Sequence, residues 1–137
     1  MTTERINPAE LARPSGFSHA VSVAGGTATG RMVFLAGQTG VDRDGNVADR
    51  GVVPQFERAL TSLLTALGSA GGLPSDLVSL TIYLTDMADY QAHARDIGAV
   101  WRRLAGTEYP AMAAVGVTRL WLPDLLVEIQ GIAVVNG

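Results

Sequence analysis

Cysteine is absent from this chain of 137 residues, which excludes disulfides, thiolate nucleophiles and thiolate metal ligands. The sequence also has no run of about 18 apolar residues, so it predicts no membrane-spanning helix. Residues 1–16 lack the apolar segment of a secretory signal. Together these absences predict a cytoplasmic protein that does not contact a membrane.

Basic charge is scarce as well. Lys and Arg together number 10 against 13 Asp and Glu, which gives a net charge of −3. Nucleic-acid-binding proteins usually carry a basic stripe, because neutralising phosphates supplies most of their affinity. The one basic cluster, Arg102–Arg103, falls in a predicted helix, where a solvated position near the C-terminal end is the simpler interpretation. Nucleic acid is therefore not an expected partner.

The sequence shows no residues at the spacing of a metal or cofactor site. His19 and His93 are distant from each other. Asp42 and Asp44 faintly resemble a calcium loop, but Val53 stands where an EF-hand has its bidentate Glu, so an Asp-Gly turn is favoured. The glycine-rich residues 25–30 precede a strand instead of a helix N-terminus, which favours a turn over a phosphate-binding loop. No metal and no cofactor are predicted.

Apolar residues make up 47% of the chain, enough for a single domain over residues 1–137. Residues 1–16 hold two prolines and no periodicity, which predicts an irregular N-terminal arm. The apolar periodicity of the remainder predicts the order ββαβαββ, with a first helix from about residue 54 and a second over about 87–105. This order indicates an α+β fold with two helices on one face of a mixed or antiparallel sheet.

The spacing of apolar residues also predicts which face of each element is buried. These positions are Phe56, Ala59, Leu60, Leu63, Leu64 and Leu67 in the first helix, Tyr90, Ala94, Ile97, Trp101 and Leu104 in the second, and Val78, Leu80, Ile82 and Leu84 in the strand between them. Strand parity assigns the open face of the sheet Ser79, Thr81, Tyr83, Met112, Ala114, Gly116, Glu128 and Gln130. A half-apolar open face on a small domain predicts an oligomer with pockets between subunits.

The last predicted strand contains one acidic residue among apolar neighbours. Glu128 lies between Val127 and Ile129, with no Lys or Arg within eight residues on either side. Burying such a carboxylate is costly unless it is paired or hydrogen-bonded. Two interpretations stay open, a carboxylate bonded to backbone donors at a subunit interface and a positioned acid in a cleft.

Three stretches of the sequence resemble the RidA/YjgF family of reactive-intermediate (imine and enamine) deaminases. The most specific is YPAMAAVGVTRLWLPDLLVEI, which is similar to the family's C-terminal signature of Pro-Ala, Arg, an apolar strand, a loop and apolar-Glu-Ile. FLAGQTG resembles its second strand, and AGGLPSDLVSLTIYLTDMADY its glycine turn, strand and second helix start. The resemblance implies the chorismate-mutase-like ββαβαββ fold and a homotrimer with clefts between subunits that bind small molecules.

In deaminating members of that family, an Arg binds the substrate carboxylate and a Glu holds the water that attacks the imine carbon. By this resemblance Glu128 takes the catalytic position, and Gly37 and Gln38 take the Gly-Gln of the strand turn. Phe17 stands at a cleft aromatic position, and Ala114 at a position whose backbone carbonyl contacts the water. His19 falls on a nearby Gln, and Ala36 replaces the usual Ser. Trp121 is a further candidate for the cleft lining.

One departure changes the expected substrate. Met112 stands where the family has its substrate-binding Arg, and a thioether cannot bind a carboxylate as a guanidinium does. Losing a buried carboxylate's charged partner costs about 3–5 kcal/mol, so a simple 2-imino acid is not expected as substrate. Arg119 is not expected to replace the lost charge, because it lies seven residues along the same predicted strand and alternation places it on the opposite face from Met112.

Three functions follow in order of support. The first is a hydrolase that acts on an imine, an enamine or a similarly activated small molecule, with Glu128 as general base. The second is a non-catalytic trimeric protein that binds a small ligand. The weakest is a ribonuclease, an activity attached to some relatives. The chain is acidic, and its two histidines are too far apart in sequence to suggest a catalytic pair.

Overall fold

A computed structural model describes residues 2–15, 17–24 and 30–136 of the chain. The strands are β1 (Thr2–Ile6), β2 (Ala20–Ala24), β3 (Gly30–Thr39), β4 (Leu77–Leu84), β5 (Ala111–Gly116) and β6 (Val127–Asn136). The helices are α1 (Val52–Ser69), α2 (Met87–Ala92) and α3 (Ala94–Ala105), and a 3₁₀ turn spans Pro74–Asp76. The predicted turn over residues 25–30 lies outside the described residues, except for Gly30 at the start of β3.

The six described strands form one mixed sheet in the order β1-β2-β3-β6-β4-β5. Only β4 and β5 run parallel, and all other neighbours are antiparallel. Helix α1 packs against β3 and β6, with α2 and α3 beside it, so the core lies between this helical layer and one face of the sheet. The predicted α+β class and the order ββαβαββ are confirmed for the elements from β2 to β6.

The prediction of an irregular arm is wrong for its first residues. Residues 2–6 form β1, which pairs with β2 from Thr2↔Ala24 to Ile6↔Ala20. The sequence TTERI shows no apolar alternation, because this strand lies at the sheet edge and only Ile6 packs against the core. Residues 7–15 contain no strand or α-helix, as predicted.

Helix α1 follows its predicted periodicity closely. All the predicted positions are buried except Leu64, which is only partly buried against the core. The helix ends where Gly71 adopts a φ of 86°, a left-handed conformation that glycine reaches without a steric penalty. The amide of Gly72 then donates to the carbonyl of Leu67 at 2.9 Å.

The predicted second helix is two helices. The helix is interrupted at His93, whose φ of −107° and ψ of 17° depart from helical values. The ring Nδ1 of His93 lies 2.9 Å from the carbonyl oxygen of Asp89, which also accepts from the His93 amide at 3.2 Å. The change of direction shifts the buried stripe to Ile97, Val100, Trp101 and Ala105. Ala94 is exposed, and Tyr90 and Leu104 are only partly buried, in contrast to the prediction.

Two predictions of strand parity are also wrong. A register shift between Leu77 and Ser79 turns Val78 outward, and Leu77 is buried instead. In β5 the pairing with β4 sets Met112 beside Leu80 and Ala114 beside Ile82, so these residues and Gly116 lie on the helix-side face. The open face of β5 therefore carries Ala111, Ala113 and Val115. The uniformly apolar strand has no alternation that could fix its phase.

Strand β5 is an unprotected sheet edge. All six of its residues are apolar and exposed on the single chain, including Met112 at 45%. The open face of the same sheet is apolar around β3 too, since Met32 and Phe34 are each 41% exposed and lie opposite Val134 and Ile132 of β6. Apolar surface of this extent is typical of a protein–protein interface. None of the described helices combines the length and the apolar character needed to cross a membrane.

Candidate functional site

Glu128 lies on the open face of the sheet, in the centre of a row that crosses its strands. Thr39 of β3 and Tyr83 of β4 are its cross-strand neighbours, and Val115 of β5 follows Tyr83 in the same row. The neighbouring row carries Gln130, whose side-chain oxygen accepts a hydrogen bond from the Tyr83 hydroxyl at 2.9 Å. The predicted placement of Tyr83, Glu128 and Gln130 on one open face is therefore confirmed.

A break in the β3–β6 register brings the backbone of β3 against the Glu128 side chain. The register shifts between Leu35 and Gln38, and Gly37 lies within this irregular stretch. A Cβ atom added to Gly37 would lie 2.8 Å from Cδ and 3.1 Å from Oε1 of Glu128. Glycine is needed here for close approach, and the carboxyl group rests directly on the backbone of the turn.

The Glu128 carboxyl is half-buried and has no partner among the residues that the structure describes. Among the described residues no side chain or backbone amide hydrogen-bonds to it, and no Arg or His forms an ion pair with it. Burial raises the pKa of Glu128 above its ordinary value, because desolvation penalises the charged form. The described part of the chain thus offers nothing that offsets the cost of burying this carboxylate, which favours the interpretation of an acid in a cleft.

Adding a methyl group to Gly37 should impair the site and spare the fold. In Gly37→Ala the new Cβ would displace the flexible end of Glu128, so we expect kcat/KM of any Glu128-dependent reaction to fall about tenfold to a hundredfold. The melting temperature should change little. Gly68→Ala is the matched control, because a Cβ at Gly68 meets nothing within 4 Å. Equal losses of activity in both variants would contradict this account of Gly37.

Gln38 does not point towards Glu128. Its side chain is buried on the helix side, and its Nε2 lies 2.8 Å from Nδ1 of His19. The other ring nitrogen of His19, Nε2, lies 2.7 Å from the carbonyl oxygen of Ala12. A carbonyl oxygen can only accept, so Nε2 carries the ring proton, and Nδ1 accepts from Gln38. Phe17 is exposed and meets the His19 ring edge-on at 5.2 Å between centroids. The side chain of Gln38 therefore anchors the N-terminal segment and is not free for a ligand.

The structure separates Met112 and Ala114 from Glu128 within one chain. All three belong to neighbouring strands of one sheet, but the register places the first two on the helix-side face and Glu128 on the open face. A cleft that uses both sets of residues therefore needs two copies of the chain. The same conclusion follows from the exposure of β5 on both of its faces.

Arg119 lies beside Glu128, whereas the sequence interpretation excluded it from the site because Met112 was expected on the same face as Glu128. Strand β5 ends at Gly116, so the alternation that assigned Arg119 to the face opposite Met112 stops three residues before it. Arg119, Leu120 and Trp121 line an open depression together with Glu128. The expected place of Trp121 beside Glu128 agrees with this depression. Gly116 was the available signal for the end of β5, since a glycine in a predicted strand often marks its end.

A buried glutamine holds this loop in place. Gln55 of α1 donates from Nε2 to the carbonyl oxygen of Asp124 at 3.0 Å and accepts from the amide of Leu126 at 2.8 Å. The loop also closes on β4, where Val117 donates to the carbonyl oxygen of Leu84 at 2.8 Å. Both ends of the segment that carries Arg119 and Trp121 are thus fixed to the core.

Comparison with known proteins gives consistent matches over nearly the whole chain. The family model described as Endoribonuclease L-PSP matches residues 9–135. A RutC family protein of Pyrococcus abyssi is 30% identical over 97% of this chain and 98% of its own length. The 2-iminobutanoate/2-iminopropanoate deaminase of Capra hircus is 32% identical over 76% of this chain and 73% of its own. The crystal structure of the YjgF gene product of E. coli superposes with a TM-score of 0.78 at 27% identity, covering 96% of this chain and 98% of that one.

Proposed function

The chain belongs to the Endoribonuclease L-PSP (RidA/YjgF) family, and from this premise we propose that it hydrolyses an imine, an enamine or a similarly activated small molecule. Glu128 is the general base that activates the attacking water. The deaminase activity named for the relative from Capra hircus supports the reaction class. Hydrolysis of an electrophilic iminium carbon needs only a positioned water and a proton acceptor, which this site has the groups to supply.

The observation that carries the proposal is the unpartnered carboxyl of Glu128. It lies half-buried against Gly37, and desolvation raises its pKa above the ordinary value. A general base with a raised pKa is a better proton acceptor at neutral pH than an ordinary carboxylate. A structural carboxylate would instead be expected to accept hydrogen bonds from its surroundings.

The reaction follows from this geometry. The water oxygen bonds to the imine carbon as Glu128 accepts one of its protons, and Glu128 then passes that proton to the nitrogen. Because the substrate reacts as its protonated iminium form, the nitrogen now carries three hydrogens. The C–N bond breaks, ammonia leaves with the bonding electron pair, and the remaining hydroxyl gives its proton to the Glu128 carboxylate to become a carbonyl. The balance is one imine and one water in, one carbonyl compound and one ammonia out.

Met112 directs the choice of substrate. It is apolar and exposed at the position where the family's carboxylate-binding Arg is expected. The group of the substrate that meets Met112 should therefore be neutral or apolar, which disfavours small 2-imino acids such as 2-iminopropanoate.

We further propose a homotrimer, as the resemblance implies. Its support is the exposed apolar edge β5 together with the apolar open face at Met32 and Phe34, both of which a neighbouring subunit would cover. A cytoplasmic location stays a prediction from the sequence.

Introducing an arginine in place of Met112 tests the proposed function. We expect Met112→Arg to raise kcat/KM for 2-iminopropanoate by about two orders of magnitude, because the guanidinium supplies the lost carboxylate contact. Activity towards a carboxylate-free imine of similar size should fall or stay unchanged. Met112→Leu is the matched control and should resemble the wild type with both substrates. Ammonia release measured with each substrate separates the variants.

Two outcomes would count against the proposal. Wild-type turnover of 2-iminopropanoate as fast as that of the Arg variant would contradict the role given to Met112. Absence of turnover with every imine, in both proteins, would favour the non-catalytic small-ligand-binding protein. Ribonuclease activity has the least support. RNA binding needs several basic residues to neutralise phosphates, and in this acidic chain the depression at Glu128 is lined by a single Arg.

A further inference from the structure

Arg119 forms no ion pair with a carboxylate of the described residues. Among the described residues, the ion pairs join Arg58 to Asp49, His93 to Asp89 and Arg103 to Glu57, and none involves Arg119. Its guanidinium donates from Nε to the carbonyl oxygen of Leu120 at 3.1 Å and from an Nη to that of Trp121 at 3.3 Å. A guanidinium has five N–H donors, so most of them remain free.

The two carbonyl contacts fix the direction of this side chain. Both acceptors belong to the same loop as Arg119, and the loop is tied to β4 by Val117 and to α1 through Gln55. An anion that binds the free N–H groups therefore meets a donor set that is already ordered, which reduces the entropy lost on binding.

Trp121 is the most exposed large apolar side chain of the described residues, at 89%. Its indole lines the same depression as Arg119 and Glu128. An indole offers a flat surface on which an aromatic or conjugated group can stack. The other tryptophan, Trp101, is buried in the core.

We propose that the site selects an anionic substrate with an aromatic or conjugated body, whose acidic group binds Arg119 while its body lies on Trp121. The inference rests on the proposed function in so far as it places the reacting carbon near Glu128. The negative group of the substrate then binds the loop after β5, and the part of the substrate that meets Met112 is apolar. Arg119 and Trp121 then determine specificity, and Glu128 performs the chemistry.

Three matched probes test the assignment without any turnover. Phenylacetate has both the ring and the charge, phenylacetamide has the ring alone, and acetate has the charge alone. Dissociation constants from ligand-observed NMR should show phenylacetate binding at least about tenfold more tightly than either of the others, since a charge-assisted contact and a ring contact act together.

Three variants of the full-length protein separate the contributions. Arg119→Gln should weaken phenylacetate about tenfold, to the level of phenylacetamide. Trp121→Leu should weaken both aryl probes severalfold and leave acetate unchanged. Arg102→Gln removes an exposed charge of the same kind from α3 and should alter nothing.

Glu128→Gln distinguishes this inference from the proposed function, because it should abolish turnover and preserve or strengthen phenylacetate binding. Equal affinity of all three probes for the wild type would overturn the inference. Retention of phenylacetate affinity in Arg119→Gln would do the same. So would a Trp121→Leu protein whose oligomer dissociates while its probe selectivity is unchanged, since Trp121 would then be an interface residue.

Discussion

Replacing Glu128 by Gln is expected to lower kcat/KM for imine hydrolysis by roughly two to four orders of magnitude, the usual contribution of a positioned proton acceptor. Glutamine keeps the shape of the side chain against Gly37, so the fold and the oligomer should persist. In the wild type, kcat/KM should decline as the pH falls through the raised pKa of Glu128, because the protonated carboxyl cannot accept a proton from water. Ammonia release as a function of pH measures both effects.

The same substitution should stabilise the folded protein at neutral pH. Burial raises the pKa of Glu128 in the folded state, so the folded state holds this proton more tightly than the unfolded state does. The free energy of unfolding therefore falls as the pH rises from the unfolded pKa to the folded pKa, and the penalty is complete above that window. Glutamine has no such penalty. The melting temperature of the Glu128→Gln protein should exceed that of the wild type at pH 7 and match it below about pH 4.

Glu108→Gln is the control for these measurements. It removes an exposed carboxyl between α3 and β5 and should change neither the turnover nor the pH dependence of stability. A Glu128→Gln protein that melts at a lower temperature at pH 7 would show that the carboxylate stabilises the fold. Full turnover in that variant would show that another group acts as the base.

The predictable parts of the fold are those in which one buried face repeats along an element. Helix α1 repeats its apolar residues at helical spacing from Phe56 to Leu67, and the pattern alone located it. Strand β1 pairs with β2 through its backbone and has little apolar side-chain surface, so its sequence gives no comparable signal. The interruption at His93 lies in its backbone conformation, with φ −107° and ψ 17°, which periodicity does not describe.

The candidate site was predictable where a residue contradicts its surroundings. A carboxylate among apolar strand residues made Glu128 a candidate, and the family resemblance then favoured a role in the cleft over a structural one. Arg119 was excluded from the site because Met112 was expected on the same face as Glu128, and the register of β5 places Met112 on the opposite face instead. Gln55 holds the loop through groups 69 and 71 residues away, Asp124 and Leu126, and such long-range contacts leave no local pattern.

Mixing two inactive variants is expected to restore activity, because the proposed cleft needs two chains. Met112 and Ala114 lie on the helix-side face of β5, whereas Glu128 lies on the open face of the same sheet. If all three act in one cleft, Glu128 comes from one subunit and Ala114 from its neighbour. Glu128→Gln lacks the base, and Ala114→Trp fills the other wall of the cleft. Each variant alone should form an inactive trimer.

In trimers assembled from equal amounts of the two variants, a cleft is intact when its Glu128 comes from an Ala114→Trp subunit and its Ala114 from a Glu128→Gln subunit. Random mixing gives about one quarter of such clefts, so roughly a quarter of the wild-type kcat per site should return. Ammonia release before and after subunit exchange measures the gain, with each variant exchanged against itself as the control. If mixed trimers form, as shown by mass spectrometry, and no activity returns, then Glu128 and Ala114 do not meet across a subunit boundary and the proposed cleft is wrong.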